Sequence, residues 1–323
     1  MNSFIHHDGA LGDVLLSLPA IRSLKREGNR LHLAGRGDVV AFLREAGAVD
    51  EASSSDSGRY ASLYTGNVAD RTRTFLSGFS RAVIFTVRPD SVLVAAVRSV
   101  ISDTRVVITV PPEGVAVPLA HFRLSQLAPG EYVGSGPFLA VPQPDRDLAA
   151  DTLSRAGYDG SRPLIAIHPG SSGRAKCWPL GNYLELIARL QEGMGAFVII
   201  LTGPAEDASF RDRIVAFTRG RPGVVAVADA PLTTVAALLG LSHLFIGNDS
   251  GIGHLAAMLG SSVLILFGPT DPALWRPVGQ QVTAIHAALL AELRVDEVSA
   301  RVADVLSHTD LTAPKFHGAE SKL

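Results

Sequence analysis

The stretch Phe245-Ile246-Gly247-Asn248-Asp249-Ser250-Gly251-Ile252-Gly253-His254-Leu255-Ala256-Ala257 passes from an apolar run through small polar residues into a helical pattern. It reads as a buried strand followed at once by a helix beginning at Ser250. Such a junction aims free amides and the positive end of a helix dipole beyond the strand's carboxyl end, which makes a ready anion site. The same alternation recurs almost throughout the chain. Short apolar runs at 4–7, 31–34, 82–86 and 105–109 read as strands, with helices at 13–26, 39–45 and 91–102. A second series has strands at 164–168, 196–201, 244–247 and 263–267, with helices at 180–192, 206–218, 232–239 and 250–259. Strands alternating with helices imply parallel sheets covered on both faces. The fold class is therefore α/β: two Rossmann-like, doubly wound parallel-sheet domains, expected to face a central cleft. The join is expected near Val141-Pro142-Gln143-Pro144-Asp145, which reads as an extended linker.

Bulk composition agrees with two cores. The chain has 323 residues, of which 47% are hydrophobic and 19% charged. The net charge of −2 argues against nucleic acid as the main partner, because wide phosphate contact needs a basic excess. Cys177 is the single cysteine, so no internal disulfide can form and a reducing cytoplasm is the expected setting. The amino-terminal residues lack the basic and long apolar stretches of a signal peptide. The apolar runs are too short to span a bilayer, so peripheral membrane contact is the form expected.

Three further strand-to-helix junctions carry candidate chemistry. Gly9-Ala10-Leu11-Gly12-Asp13 follows the first strand, and its glycines let a backbone turn tightly or a ligand come close. Asp13 suits an N-cap, and it equally suits a general base facing a bound hydroxyl; one residue can be both. His168-Pro169-Gly170-Ser171-Ser172-Gly173-Arg174-Ala175-Lys176-Cys177-Trp178-Pro179 is a small, glycine-rich loop with two cations, suited to an anion or to plain solvation. It lacks the Walker spacing. In Leu201-Thr202-Gly203-Pro204-Ala205-Glu206, Glu206 suits ribose hydroxyls or simply complements a helix end. Asp249 likewise suits an N-cap, and Gly253 suits a close approach to the helix end. No Gly-x-Gly-x-x-Gly follows the first strand, which weakens a nicotinamide or flavin reading. No His/Cys cluster has metal-ligand spacing, and Asp145-Arg146-Asp147 lies in the expected linker.

Together these motifs resemble the ADP-heptose:lipopolysaccharide heptosyltransferase family, glycosyltransferase family 9, from about residue 4 to 279. Leu11-Gly12-Asp13-Val14-Leu15-Leu16 with Pro19 carries the resemblance first. His168-Pro169-Gly170 with Lys176 and Trp178-Pro179, Asn248-Asp249-Ser250-Gly251 with His254-Leu255-Ala256, and Leu266-Phe267-Gly268-Pro269-Thr270-Asp271-Pro272 carry the rest. The resemblance implies a GT-B enzyme with an acceptor-binding domain at 1–147, a donor-binding domain at 148–307 and a tail at 308–323. It implies transfer of a heptose or related sugar, with inversion, from a nucleotide diphosphate sugar to a lipopolysaccharide core or similar glycolipid at the inner-membrane surface. No metal or cofactor beyond the donor is implied. By this similarity Asp13 is the base, Lys176 faces the donor phosphates and Glu206 the ribose. Ser171, Asp249, Ser250, Gly251 and His254 complete the donor site, with Gly12 and His7 on the acceptor side. The family often has Lys or Arg where this chain has His7, and Asp8 follows it. Ile252-Gly253 also replaces a pair that usually contains proline. An epimerase or hydrolase on the same plan, needing no acceptor, is the rival enzyme. A binding protein without an acceptor site is disfavoured by the presence of both Asp13 and Lys176.

One acceptor-side reading comes from the residues alone and not from the resemblance. Between Ser57 and Arg123 there are eight arginines and four acids, a local charge of +4 in a chain of −2. Arg59, Arg71 and Arg73 are therefore candidates for the phosphates or carboxylates of a glycolipid, or else form a solvated basic face.

Overall fold

A computed structural model describes residues 2–309 and 311, apart from 27, 29 and 135. The chain divides after Gly134 into two compact units. The first holds β1 (Asn2–His7), β2 (Arg30–Gly35), β3 (Glu51–Ser54), β4 (Arg81–Thr86) and β5 (Thr104–Ile108) in the order β3-β2-β1-β4-β5. All its pairings are parallel. The second holds β6 (Leu164–His168), β7 (Phe197–Thr202), β8 (Val224–Ala228), β9 (Leu244–Asn248), β10 (Ser262–Phe267) and β11 (Val282–His286). Their order is β11-β10-β9-β6-β7-β8, again parallel throughout. Each sheet reverses its winding at one place, between β1 and β4 in the first and between β6 and β9 in the second. Loops that leave a sheet at such a reversal diverge to opposite faces and open a crevice at the carboxyl ends.

The inner strands β1, β6, β7, β9 and β10 are buried on both faces, as their unbroken apolar runs foretell. Three strands escape the sequence reading, and all lie at sheet edges. β3, β8 and β11 are half exposed, so their side chains carry no continuous apolar signal. The expected linker is also different. Gln143–Arg155 form a helix with Pro144 in the first turn and Asp145 beside it. Proline suits that place because first-turn amides have no partner inside the helix. Past the helix Val295–Ser307, Thr309 is buried and its hydroxyl donates to Val305 O. Most of the expected tail, 310 and 312–323, lies outside the described residues.

Candidate active site

In the first unit, Asp13 does not cap a helix. The helix Leu11–Arg26 begins two residues earlier, placing Asp13 in its first turn. Its carboxylate turns instead to Arg123, whose Nη2 donates to Asp13 Oδ1 at 3.2 Å. Arg123 comes from the helix Leu119–Ser125 and has no exposed surface. Its Nε donates to Thr109 O at 2.9 Å, and its Nη1 donates to Asp13 O at 2.5 Å and Ser17 Oγ at 3.0 Å. Burial depresses the Arg123 guanidinium, and the Asp13 charge opposes that. Among these bonds Asp13 Oδ2 is not used.

His7 ends β1 against the same cluster. It is buried, stacks on Phe85 at 4.9 Å between ring centres, and pairs through Nε2 with Ser17 Oγ at 2.9 Å. The Gly9 amide donates to His7 Nδ1 at 3.1 Å, so Nδ1 is an acceptor. Burial and the Arg123 charge push the His7 imidazole down to about 3, which keeps it neutral. A Cβ on Gly9 would lie 2.7 Å from Asp13 Cβ and 2.6 Å from His7 Cε1, so the loop needs glycine there. Gly12 is in the first helical turn.

A cavity of about 520 Å³ lies past the ends of β1, β2 and β3, lined by Asp8, Arg36, Gly37, Asp38, Ser55, Asp56 and Tyr64. Tyr64 donates to Asp8 Oδ2 at 2.5 Å, and burial together with that carboxylate raises its phenol well above the usual range. Arg59, Arg71 and Arg73 are exposed. Arg59 lies over the Phe75 ring at 4.3 Å, and Arg71 donates to Gly58 O at 2.7 Å.

In the second unit, the reversal between β6 and β9 brings three loops together. Asp249 Oδ2 accepts from Lys176 Nζ at 3.1 Å and from Thr270 Oγ1 at 2.8 Å. His254 Nε2 lies 3.8 Å from Asp249 Oδ1, and Ser171 Oγ donates to Asp249 O at 2.8 Å. Burial alone would raise the Asp249 carboxyl, but His254, Thr270 and the Lys176 ammonium outweigh it and hold it at about 2. Asp249 is therefore a buried anion and not a cap. The helix Gly251–Met258 starts after Ser250, whose side chain does not cap it, and the Gly253 amide donates to Ser250 O at 3.1 Å. Gly253 has a packing reason: a Cβ there would meet Ile265 Cδ1 at 2.7 Å.

Asn248 joins these loops. Its Oδ1 accepts from the Trp178 amide and the Tyr183 hydroxyl, both at 2.9 Å. Its Nδ2 donates to Pro169 O at 2.8 Å and Gly170 O at 3.3 Å. Glu206 is buried before its helix, which starts at Ala208 with Asp207 as the capping residue. Glu206 Oε2 accepts from Gly203 N at 2.6 Å, and Oε1 lies 3.9 Å from His168 Nε2. Burial pushes the His168 imidazole down to about 4. Arg123, Ser17 and Thr270 are site members that the sequence did not single out. No group of three His, Cys, Asp or Glu side chains is placed to hold a metal among the described residues.

Two α/β units, each built on a parallel sheet with one reversal of winding, are the plan of the GT-B fold. The solved structure of the ADP-heptose lps heptosyltransferase II of E. coli matches 95% of this chain and 99% of its own, with a TM-score of 0.74 and 20% identity. The model of "Glycosyltransferase family 9 (heptosyltransferase)" matches residues 122–300, and the chain belongs to that family. Lipopolysaccharide heptosyltransferase 3 of Escherichia coli (strain K12) is 33% identical over 124 residues, 38% of this chain and 36% of that protein. Lipopolysaccharide heptosyltransferase 2 of Salmonella typhimurium is 29% identical over 155 residues, 46% of this chain and 43% of that protein. The matched stretches thus span well under half the length of these relatives.

Proposed function

We propose that this protein is an inverting glycosyltransferase that moves a heptose or closely related sugar from a nucleoside diphosphate to a hydroxyl of a lipopolysaccharide core or similar envelope glycolipid. The observation that carries this reading is the second unit's cluster, where Lys176 stands on the buried Asp249 carboxylate beside an uncapped helix start. An ammonium has three N–H donors, and one bond to Asp249 leaves others for diphosphate oxygens. As the anomeric carbon–oxygen bond breaks, its electron pair stays on the diphosphate. Lys176 and the helix amides then face the growing charge, an effect of about 10²- to 10³-fold for each fixed donor in comparable sites. Ser171 and Ser250 add hydroxyls, His254 borders Asp249, and Glu206 is the ribose contact. These residues serve the chemistry without a metal or a cofactor beyond the donor.

The first unit supplies the other half. Asp13 takes the proton of the acceptor hydroxyl on its free Oδ2 while the new bond forms on the face opposite the leaving group. General-base help of this kind contributes about 10²- to 10⁴-fold. Gly12 keeps the backbone low beside the acceptor, His7 acts from beneath through Ser17, and the cavity lined by Asp8 and Tyr64 gives room for acceptor sugar. Arg59, Arg71 and Arg73 are exposed and suited to acidic groups of the acceptor. No helix is long and apolar enough to cross a membrane among the described residues, and peripheral contact at the cytoplasmic face of the inner membrane fits a glycolipid acceptor.

The test is transfer from ADP-heptose, with a panel of other nucleotide sugars beside it, to a truncated core glycolipid. Asp13→Ala removes the general-base contribution, lowering transfer about 10²- to 10⁴-fold, and keeps donor binding; transfer near the wild-type rate by that variant refutes the base assignment. Release of nucleotide from donor alone, at the rate seen with acceptor, would favour the epimerase or hydrolase reading.

A further inference from the structure

Arg123 is a fully buried guanidinium in the first unit whose three nitrogens are all engaged. One anchors it to Thr109 O, one grips the Asp13 backbone and Ser17, and the third holds the Asp13 carboxylate. A planar fork can make these bonds at once, whereas an ammonium concentrates its donors at one atom.

Ser17 stands between Arg123 and His7, and its hydrogen bonds close without remainder. Its hydroxyl donates to Asp13 O at 3.1 Å, which uses its only proton. Both lone pairs must then accept, one from Arg123 Nη1 and one from His7 Nε2. For His7 this requires the tautomer with its proton on Nε2, and the Gly9 amide donating to Nδ1 imposes that tautomer. A cation at position 7 would press against Arg123 and have no acceptor for its extra protons.

We propose that Arg123, seated by the Thr109 carbonyl and by the Ser17–His7 pair, is the positioning residue that holds Oδ1 of Asp13 and so presents Oδ2 to the acceptor hydroxyl. This rests on Asp13 being the base. Arg123 does not touch substrate; it decides which carboxylate oxygen is available and in which direction it points. Misplacing a reacting group by about 1 Å can cost about 100-fold in rate.

The test pairs Arg123→Met and Arg123→Lys with Asp13→Ala and the double variants, measured for kcat, for the donor and acceptor KM and for thermal melting. Arg123→Met lowers kcat about 100-fold and leaves donor KM within about twofold, since the donor residues lie in the other unit. Arg123→Lys keeps the charge and loses the fork, and kcat falls about tenfold or more. In the Asp13→Ala background neither substitution lowers the remaining rate further. Wild-type kcat in a folded Arg123→Met, or a full further loss in the Asp13→Ala background, overturns the proposal. If Arg123→Met does not fold, Arg123→Lys and Ser17→Ala decide: wild-type kcat in both overturns it. An active Asp13→Ala sinks the base assignment itself, a result distinct from an inactive Asp13→Ala beside an unaffected Arg123→Met.

Discussion

The two units hold their central charges in opposite ways. In the first, the cation is the hidden partner: Arg123 is 0% exposed at the side chain and Asp13 is 37% exposed. In the second, the anion is hidden: Asp249 is 6% exposed and Lys176 31%. Each buried ion is costly to desolvate and is tolerated because hydrogen bonds surround it. The consequence is that each pair presents one sign of charge to solvent, steadied by its buried counterion. In the proposed reaction the negative group is the one that receives a proton, and the positive group the one that meets the leaving anion.

The largest expected effect removes the outward charge of the first unit. Asp13→Asn keeps shape and lowers kcat about 1,000-fold, with donor affinity unchanged in a calorimetric titration. Removing the outward charge of the second unit with Lys176→Met should lower kcat/KM for the donor about 100-fold and weaken nucleoside diphosphate binding. If the two substitutions instead gave the same kinetic signature, the division of labour between the units would be wrong.

The units are alike in one respect: each buries several histidines, among them His7 in the first and His168 in the second, both held neutral, and acid should expose these two. His7 and His168 titrate at about 3 and about 4 when folded, against 6.5 for a free imidazole. The unfolded chain therefore binds more protons between these values, and stability falls as pH drops below about 6.5. At pH 5 the cost is about 2 kcal/mol for each histidine. Thermal melting from pH 7.5 to pH 5 measures it, and His168→Gln should flatten the part that belongs to the second unit. The smallest effect concerns the tautomer at His7. His7→Gln retains a donor near Nε2 and should lose only a few-fold in kcat, while His7→Leu leaves Ser17 short of a donor and should lose about tenfold. Steady-state rates on the two variants separate the cases.

What the sequence made legible follows where the free energy is local. β6 and β9 are continuous apolar runs, and Lys176 and Asp249 lie in the loops past them, so the fold and the proposed donor residues can be read together. β3, β8 and β11 have one neighbour each and half-polar faces, which hides them. Arg123 was one of eight arginines in a basic stretch, and its partner is 110 positions away. Nothing local marks such a contact. Thr270 lies in a turn that the sequence marks, yet its bond to Asp249 depends on the parallel pairing of β9 and β10 in the sheet. Asp13 stood out as an acid at a helix start, but only tertiary structure shows that its carboxylate turns to a cation and not to the amides.

The Asn248 amide fastens both feet of the 169–178 loop, Pro169 and Gly170 at one end and Trp178 at the other. The span left between those fastenings is short, so little chain disorder remains to be lost when a ligand settles on Ser171 and Lys176. On the proposed function, affinity for a diphosphate then owes part of its strength to a loop held in place beforehand, and a single amide side chain sets that economy of motion.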